Sequence, residues 1–139
     1  MEMLENREGA ILVLEPVGRM DKKTSPDLQQ RMVELLEEGN RHIVLDLTKT
    51  EHIGGAGLRV LLTLSKKLDS MDGGLVLCSM SAQVRRAFDL AGFTNLLAIV
   101  PTREKALGAL SGNQKVAQVF DLAGELLAKS DDRDDEDTD

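Results

Sequence analysis

Two histidines, a single cysteine, a few acidic residues in or beside apolar runs and a close trio of glycines are the groups in this chain whose types could carry chemistry. His42 and His52 stand ten residues apart, with neither the HxxxH nor the carboxylate–histidine spacing that would bring two ligands onto one metal, so both read as structural or solvent-facing. Cys78 lies in the apolar run Leu75 to Cys78 with no local signature of a nucleophile, and a buried, inert thiol is expected. Gly54, Gly55 and Gly57 suggest a turn whose backbone amides could cradle an anion at a helix start. A P-loop would continue with Lys and Ser or Thr, whereas Leu58, Arg59 and Val60 follow here, and the spacing GGAG does not match GxGxxG. Asp46 sits within a strand-like run and has no earlier acidic pair at a strand end, which argues against a phospho-accepting receiver domain. With no tuned nucleophile, no acid–base pair and no ligand cluster, the chain is expected to be no enzyme and to hold neither metal nor cofactor.

Composition narrows the remaining classes. A chain of 139 residues suits one domain large enough to bury a real core without a disulfide or metal. The longest apolar runs, Ala10 to Leu14 and Leu96 to Val100, are five residues each, far short of the ~18 needed to span a bilayer. The mixed charges of Met1 to Gly9 do not resemble a secretory signal, and the lone cysteine favours a reducing compartment, so a cytoplasmic protein is expected. The formal charge is −7, but residues 130–139 hold seven acids against one arginine, which leaves the body near neutral. Without a basic face, and with Phe88, Phe93 and Phe120 as the only aromatics, direct nucleic-acid binding is not expected.

The elements that would position these groups follow from periodicity. Ala10 to Val17 reads as a buried strand, paired antiparallel with Met3 to Asn6 across a turn at Arg7 to Gly9. Thr24 or Ser25 would cap a helix with Pro26 in its first turn, with Leu28, Met32, Leu35 and Leu36 on its inner face and Gly39 ending it. His42 to Leu47 reads as a parallel strand covered on both faces, and Thr48 to Ile53 as a loop. A helix from about Ala56 to Ser70 carries Leu58, Leu61, Leu62, Leu64 and Leu68; Gly73 and Gly74 then turn the chain into the strand Leu75 to Cys78. Ser81 would cap a helix with Val84, Ala87, Phe88 and Ala91 inward and Arg85, Arg86 and Asp89 outward, ended by Gly92. Leu96 to Val100 is the last strand, followed by a short helix from Thr102 to Leu110.

The order ββαβαβαβα predicts an α/β domain over residues 1–110, a mostly parallel mixed sheet with an antiparallel N-terminal edge and flanking helices. An extension over 111–129 would add a C-terminal amphipathic helix whose stripe, Val116, Val119, Phe120, Ala123, Leu126 and Leu127, either packs on its own domain or forms a homodimer or partner interface. The acidic tail over 130–139 has nothing apolar to bury and is expected to be disordered.

Four segments in this order and spacing carry a resemblance. They are Gly18-Arg19-Met20-Asp21 after the second strand, the strand Ile43 to Leu47, the turn Ile53-Gly54-Gly55-Ala56-Gly57-Leu58, and the helix Val84 to Phe93 with Ile99 beyond it. From about Leu4 to Leu110 the chain resembles the STAS domains of bacterial anti-sigma factor antagonists, the anti-anti-sigma factors. The resemblance implies the STAS fold and a binding function in signal transduction and transcription regulation by partner switching. In that family a serine at the helix start is phosphorylated by a GHKL-type kinase-like partner that is also the anti-sigma factor. By position Gly54 replaces the family's Asp, Gly55 the acceptor Ser and Ala56 the next Ser or Thr, while Gly57 and Leu58 persist.

The acceptor hydroxyl is therefore missing, and Thr48 or Thr50 upstream is the remaining candidate acceptor. Asp21, Gly54, Gly55, Ala56, Gly57 and Arg59 are the implied partner-binding residues, with Asp21 equally readable as a turn or cap residue. Two other readings stay open: a cytoplasmic STAS subunit of a membrane transport complex of the lipid ABC type, and a small-ligand or nucleotide sensor.

Overall fold

In the computed structural model the described residues are 1–111. A short hairpin starts the sheet: β1 (Glu2–Glu8) runs antiparallel to β2 (Ile11–Met20) with Glu8 opposite Ile11, so the turn is the two residues Gly9 and Ala10. Gly9 takes φ +64°, the sign that the first central position of a type II′ hairpin turn needs. The turn is tighter than the expected Arg7 to Gly9, and both strands are longer than periodicity suggests. In particular, Gly18, Arg19 and Met20 belong to β2 and do not follow it.

The helix α1 (Ser25–Glu37) has Pro26 in its first turn and buries Leu28, Met32 and Leu35. Its expected side-chain cap is absent, because the Thr24 hydroxyl turns back to donate to the Arg19 carbonyl at 2.7 Å. The chain then forms β3 (His42–Asp46), β4 (Thr50–Ile53), α2 (Gly55–Ser70), β5 (Gly74–Cys78), α3 (Ala82–Ala91) and β6 (Ala98–Val100), and residues 103–111 are again helical. Ser81 caps α3 by accepting from the Val84 amide at 3.1 Å, and Gly92 ends it in the left-handed region as expected. Ala91, expected inward, is exposed on the last turn, and Leu96 lies outside β6 and is exposed.

The sheet order is β1-β2-β3-β5-β6, parallel except for the β1 edge, with β4 pairing β2 off that path. Alternation along the strands splits the core. Leu12, Leu14, Ile43, Leu45, Leu75 and Leu77 pack with the inner faces of α1, α2 and α3, where Leu28, Leu61 and Phe88 are fully enclosed. Ile11, Val13, Val44, Val76 and Cys78 point to the other face and are buried as well, which is why the central strands read as unbroken apolar runs. The extension beyond Ser111, with its stripe and its acidic tail, lies outside the described residues.

One charge is buried on that second face, at the end of β3. Asp46 is 3% exposed, and a buried carboxylate needs partners to stay ionised. It accepts from the Thr48 amide at 2.9 Å, the Thr48 hydroxyl at 2.6 Å and the Arg103 guanidinium at 2.8 Å. Arg103 also reaches Glu15, which Lys49 pairs at 3.2 Å. Burial pushes the Asp46 carboxyl up, but the Thr48 hydrogen bonds and the Arg103 charge outweigh it and hold the group below its ordinary value.

A carboxylate depressed in the folded state stabilises the fold fully above its unfolded pKa of about 3.9, and that contribution is lost as pH falls through the folded value. Asp46→Asn should therefore cost about 1–3 kcal/mol at neutral pH. The gap to the unmodified protein, measured by urea denaturation, should close below about pH 3.9; a gap independent of pH would show that Asp46 does not carry this charge.

Candidate functional site

The site is built where the far half of β2 meets the approach to α2. Thr48 to Ile53, expected as a loop, contains β4, whose polar sequence Thr-Glu-His-Ile carries no strand signal of its own. It becomes a strand because β2 runs past the end of β3 and offers Gly18 to Met20 for parallel pairing. The ladder shifts register between Gly18 and Arg19, and Gly18 holds φ +96° there, a bulge conformation that suits glycine.

Beyond the bulge the chain turns through Asp21. Its Oδ1 accepts from the amides of Lys23 at 2.9 Å and Thr24 at 3.1 Å, while its own amide donates to the Thr24 hydroxyl at 3.0 Å. The Thr24 and Lys23 hydrogen bonds, with Arg19 3.5 Å away, hold the Asp21 carboxyl below its ordinary value. Asp21 is thus the organiser of the turn that leads into α1, the cap-like role anticipated for it.

The glycine turn lies against this loop, since the Gly54 amide donates to the Met20 carbonyl at 2.8 Å. Gly54 is the extended N-cap of α2 and offers no side chain, so the amides of the first turn lack a side-chain cap at the positive end of the helix. Gly55 and Arg59 are exposed, Gly54, Ala56 and Asp21 half-buried, and Gly57 buried. The three glycines differ in kind. A Cβ on Gly57 would stand 3.0 Å from the Ile53 side chain and 3.1 Å from both the Met20 carbonyl and the Met20 Cβ. A Cβ on Gly55 would meet only the flexible end of Arg59 at 3.4 Å, and one on Gly54 nothing closer than 3.7 Å.

The other candidates fall outside this cluster. Thr50 is 4% exposed and its hydroxyl donates to the Pro16 carbonyl at 3.1 Å, so it is closed to a kinase; Thr48 is exposed, with its hydroxyl on Asp46. His42 opens β3 and His52 sits in β4, and among the described residues no group of three His, Cys, Asp or Glu side chains is placed to hold a metal. Cys78 is buried, and burial pushes its thiol up, away from reactivity. Met20 and Ile53, which a side chain at Gly57 would crowd, lie within two of the segments that carry the family resemblance but are not among the partner-binding residues it implies.

Gly57→Ala should lower stability by about 1–3 kcal/mol through overpacking. Gly55→Ala should be neutral or slightly stabilising. Thermal melts of both variants check the pair, and equal losses would show that the turn is not held as described.

Three comparisons bear on this arrangement. Residues 3–106 match the family described as the STAS domain. The chain is 30% identical over 109 residues to BtrV of Bordetella bronchiseptica, named as an anti-sigma factor antagonist, covering 78% of this chain and 94% of that one. The crystal structure of an anti-sigma factor antagonist from Mycobacterium paratuberculosis superposes with a TM-score of 0.73 at 25% identity, over 79% of this chain and 93% of the other. The antagonist SpoIIAA in its unphosphorylated form shares the fold at a TM-score of 0.68 and 17% identity, over 80% of this chain and 97% of that one. The β2 loop and the start of α2 are thus set on a fold shared with these antagonists, and the chain belongs to the STAS domain family.

Proposed function

We propose that the chain is a non-enzymatic, cytoplasmic antagonist that docks on an anti-sigma factor of the GHKL kinase-like type through Asp21, Gly54, Gly55, Ala56, Gly57 and Arg59. The observation that carries this reading is the Met20–Gly54 hydrogen bond, which joins two segments far apart in the chain into one face at the positive end of α2. The antagonist names of its relatives supply the partner class. Docking at this face is not switched off in the family's manner, because Gly55 has no hydroxyl to accept a phosphoryl group. A phosphate would add about −1.5 to −2 charge there and block docking. Since the backbone leaves room for a side chain at Gly54 and Gly55, the acceptor is lost without the turn being remodelled.

Two measurements test the reading. Asp21→Asn keeps the Oδ1 acceptor that organises the loop and removes the charge, so it should leave the melting temperature within a few degrees while weakening binding to the anti-sigma partner at least tenfold; unchanged affinity would remove Asp21 from the interface. Incubation with a family kinase that binds the chain, followed by site-resolved mass spectrometry, should find no phosphate on residues 54–57. Gly54→Asp combined with Gly55→Ser should acquire one, and a double variant that is bound but never phosphorylated would show that this turn is not the family's switch position.

A further inference from the structure

A groove of about 460 Å³ runs between α1 and α2 on the outer side of the helix layer, within the size range of small-molecule sites. Both helices follow parallel strands and so run the same way, which brings their N-terminal ends together at one end of the groove. Its floor is aliphatic, from Met32, Val33 and Leu36 of α1 and Val60 and Leu64 of α2. Val33 is 43% exposed there, so the apolar surface is open to solvent.

The polar groups are unevenly placed. Lys22 and Arg59 stand at the N-terminal end and Lys67 at the far end; no acidic residue lines the groove, and none of these three cations makes an ion pair among the described residues. Ser25 lines the same N-terminal end, is 3% exposed, and carries the one buried side-chain polar atom without a hydrogen-bond partner among the described residues. A buried hydroxyl left unpaired is costly and calls for an explanation such as an absent ligand. Two cations and two helix N-termini therefore converge on one end of an aliphatic trough, above the enclosed Ser25 hydroxyl.

We propose that this groove binds a free aliphatic carboxylate, its head at Lys22 and Arg59 and its tail along the α1–α2 floor. The distance along α1 from Ser25 to Leu36 is roughly 16 Å at 1.5 Å per residue, which an extended chain of about a dozen carbons fills. No aromatic side chain lines the groove, so a nucleotide base would find no stacking surface. The groove shares Ala56 and Arg59 with the proposed docking face, but ligand binding is measured on the chain alone, without any protein partner, so its outcome does not depend on that reading.

The test is titration of the full chain with dodecanoate below its micellar concentration, followed by calorimetry and methyl and amide NMR. Saturable one-to-one binding is expected, with shifts concentrated at Ser25, Met32, Val33, Val60 and Leu64. Lys22→Gln should weaken binding about tenfold and Lys67→Gln by less than twofold, while Val33→Glu should abolish it with the amide spectrum of the fold retained. Dodecyltrimethylammonium, with the same tail and the opposite charge, should bind at least tenfold more weakly. Absence of saturable binding, equal binding of the two amphiphiles, shifts outside the groove, or insensitivity to Lys22→Gln would each overturn the proposal.

Discussion

The length of β2 is the constraint on which this structure depends. A strand of ten residues is long enough to pair with two shorter strands placed end to end, and β3 and β4 are those two strands. The break between them, at Leu47 to Lys49, is held by the Asp46 carboxylate, which takes both the amide and the hydroxyl of Thr48 and is itself held by Arg103. Because β4 lies against the far half of β2, the residues that leave each strand emerge side by side. The Met20 carbonyl is then in reach of the Gly54 amide, and the Asp21 loop adjoins the start of α2.

That arrangement separates the shape of the site from its chemistry. A side chain at Gly57 would crowd Met20 and Ile53, whereas Gly54 and Gly55 face space that a side chain could occupy. Backbone geometry and hydroxyl chemistry therefore vary independently at adjacent positions. The first turn of α2 has no side-chain cap, and Arg59 is exposed beside it. The same end of α2 also contributes to the groove, which shares Ala56 and Arg59 with the proposed docking face.

Much of this was legible along the chain. The unbroken apolar runs of the central strands, the inner stripe of α1 and α2, the Ser81 cap and the Gly92 stop are local patterns, and each holds in the folded chain because it is set by residues within its own element. The family likeness was also readable, since it rests on the order and spacing of short segments.

Tertiary structure decided what local pattern could not. β4 exists because an extended β2 supplies its hydrogen bonds, and Thr-Glu-His-Ile has no strand character without that partner. Thr24 looks like a helix cap from its neighbours, but the bend after β2 places the Arg19 carbonyl within its reach and takes the hydroxyl. Thr48 and Thr50 are alike in sequence, and only the pairing of β4 with β2 buries one and leaves the other exposed. The sequence by itself determined which residues are available, among them Gly54 and Gly55 at the start of α2. Which of them meet was decided by backbone hydrogen bonds between segments about thirty residues apart, an interaction that the main chain makes whatever the side chain and that therefore leaves no mark in composition or spacing.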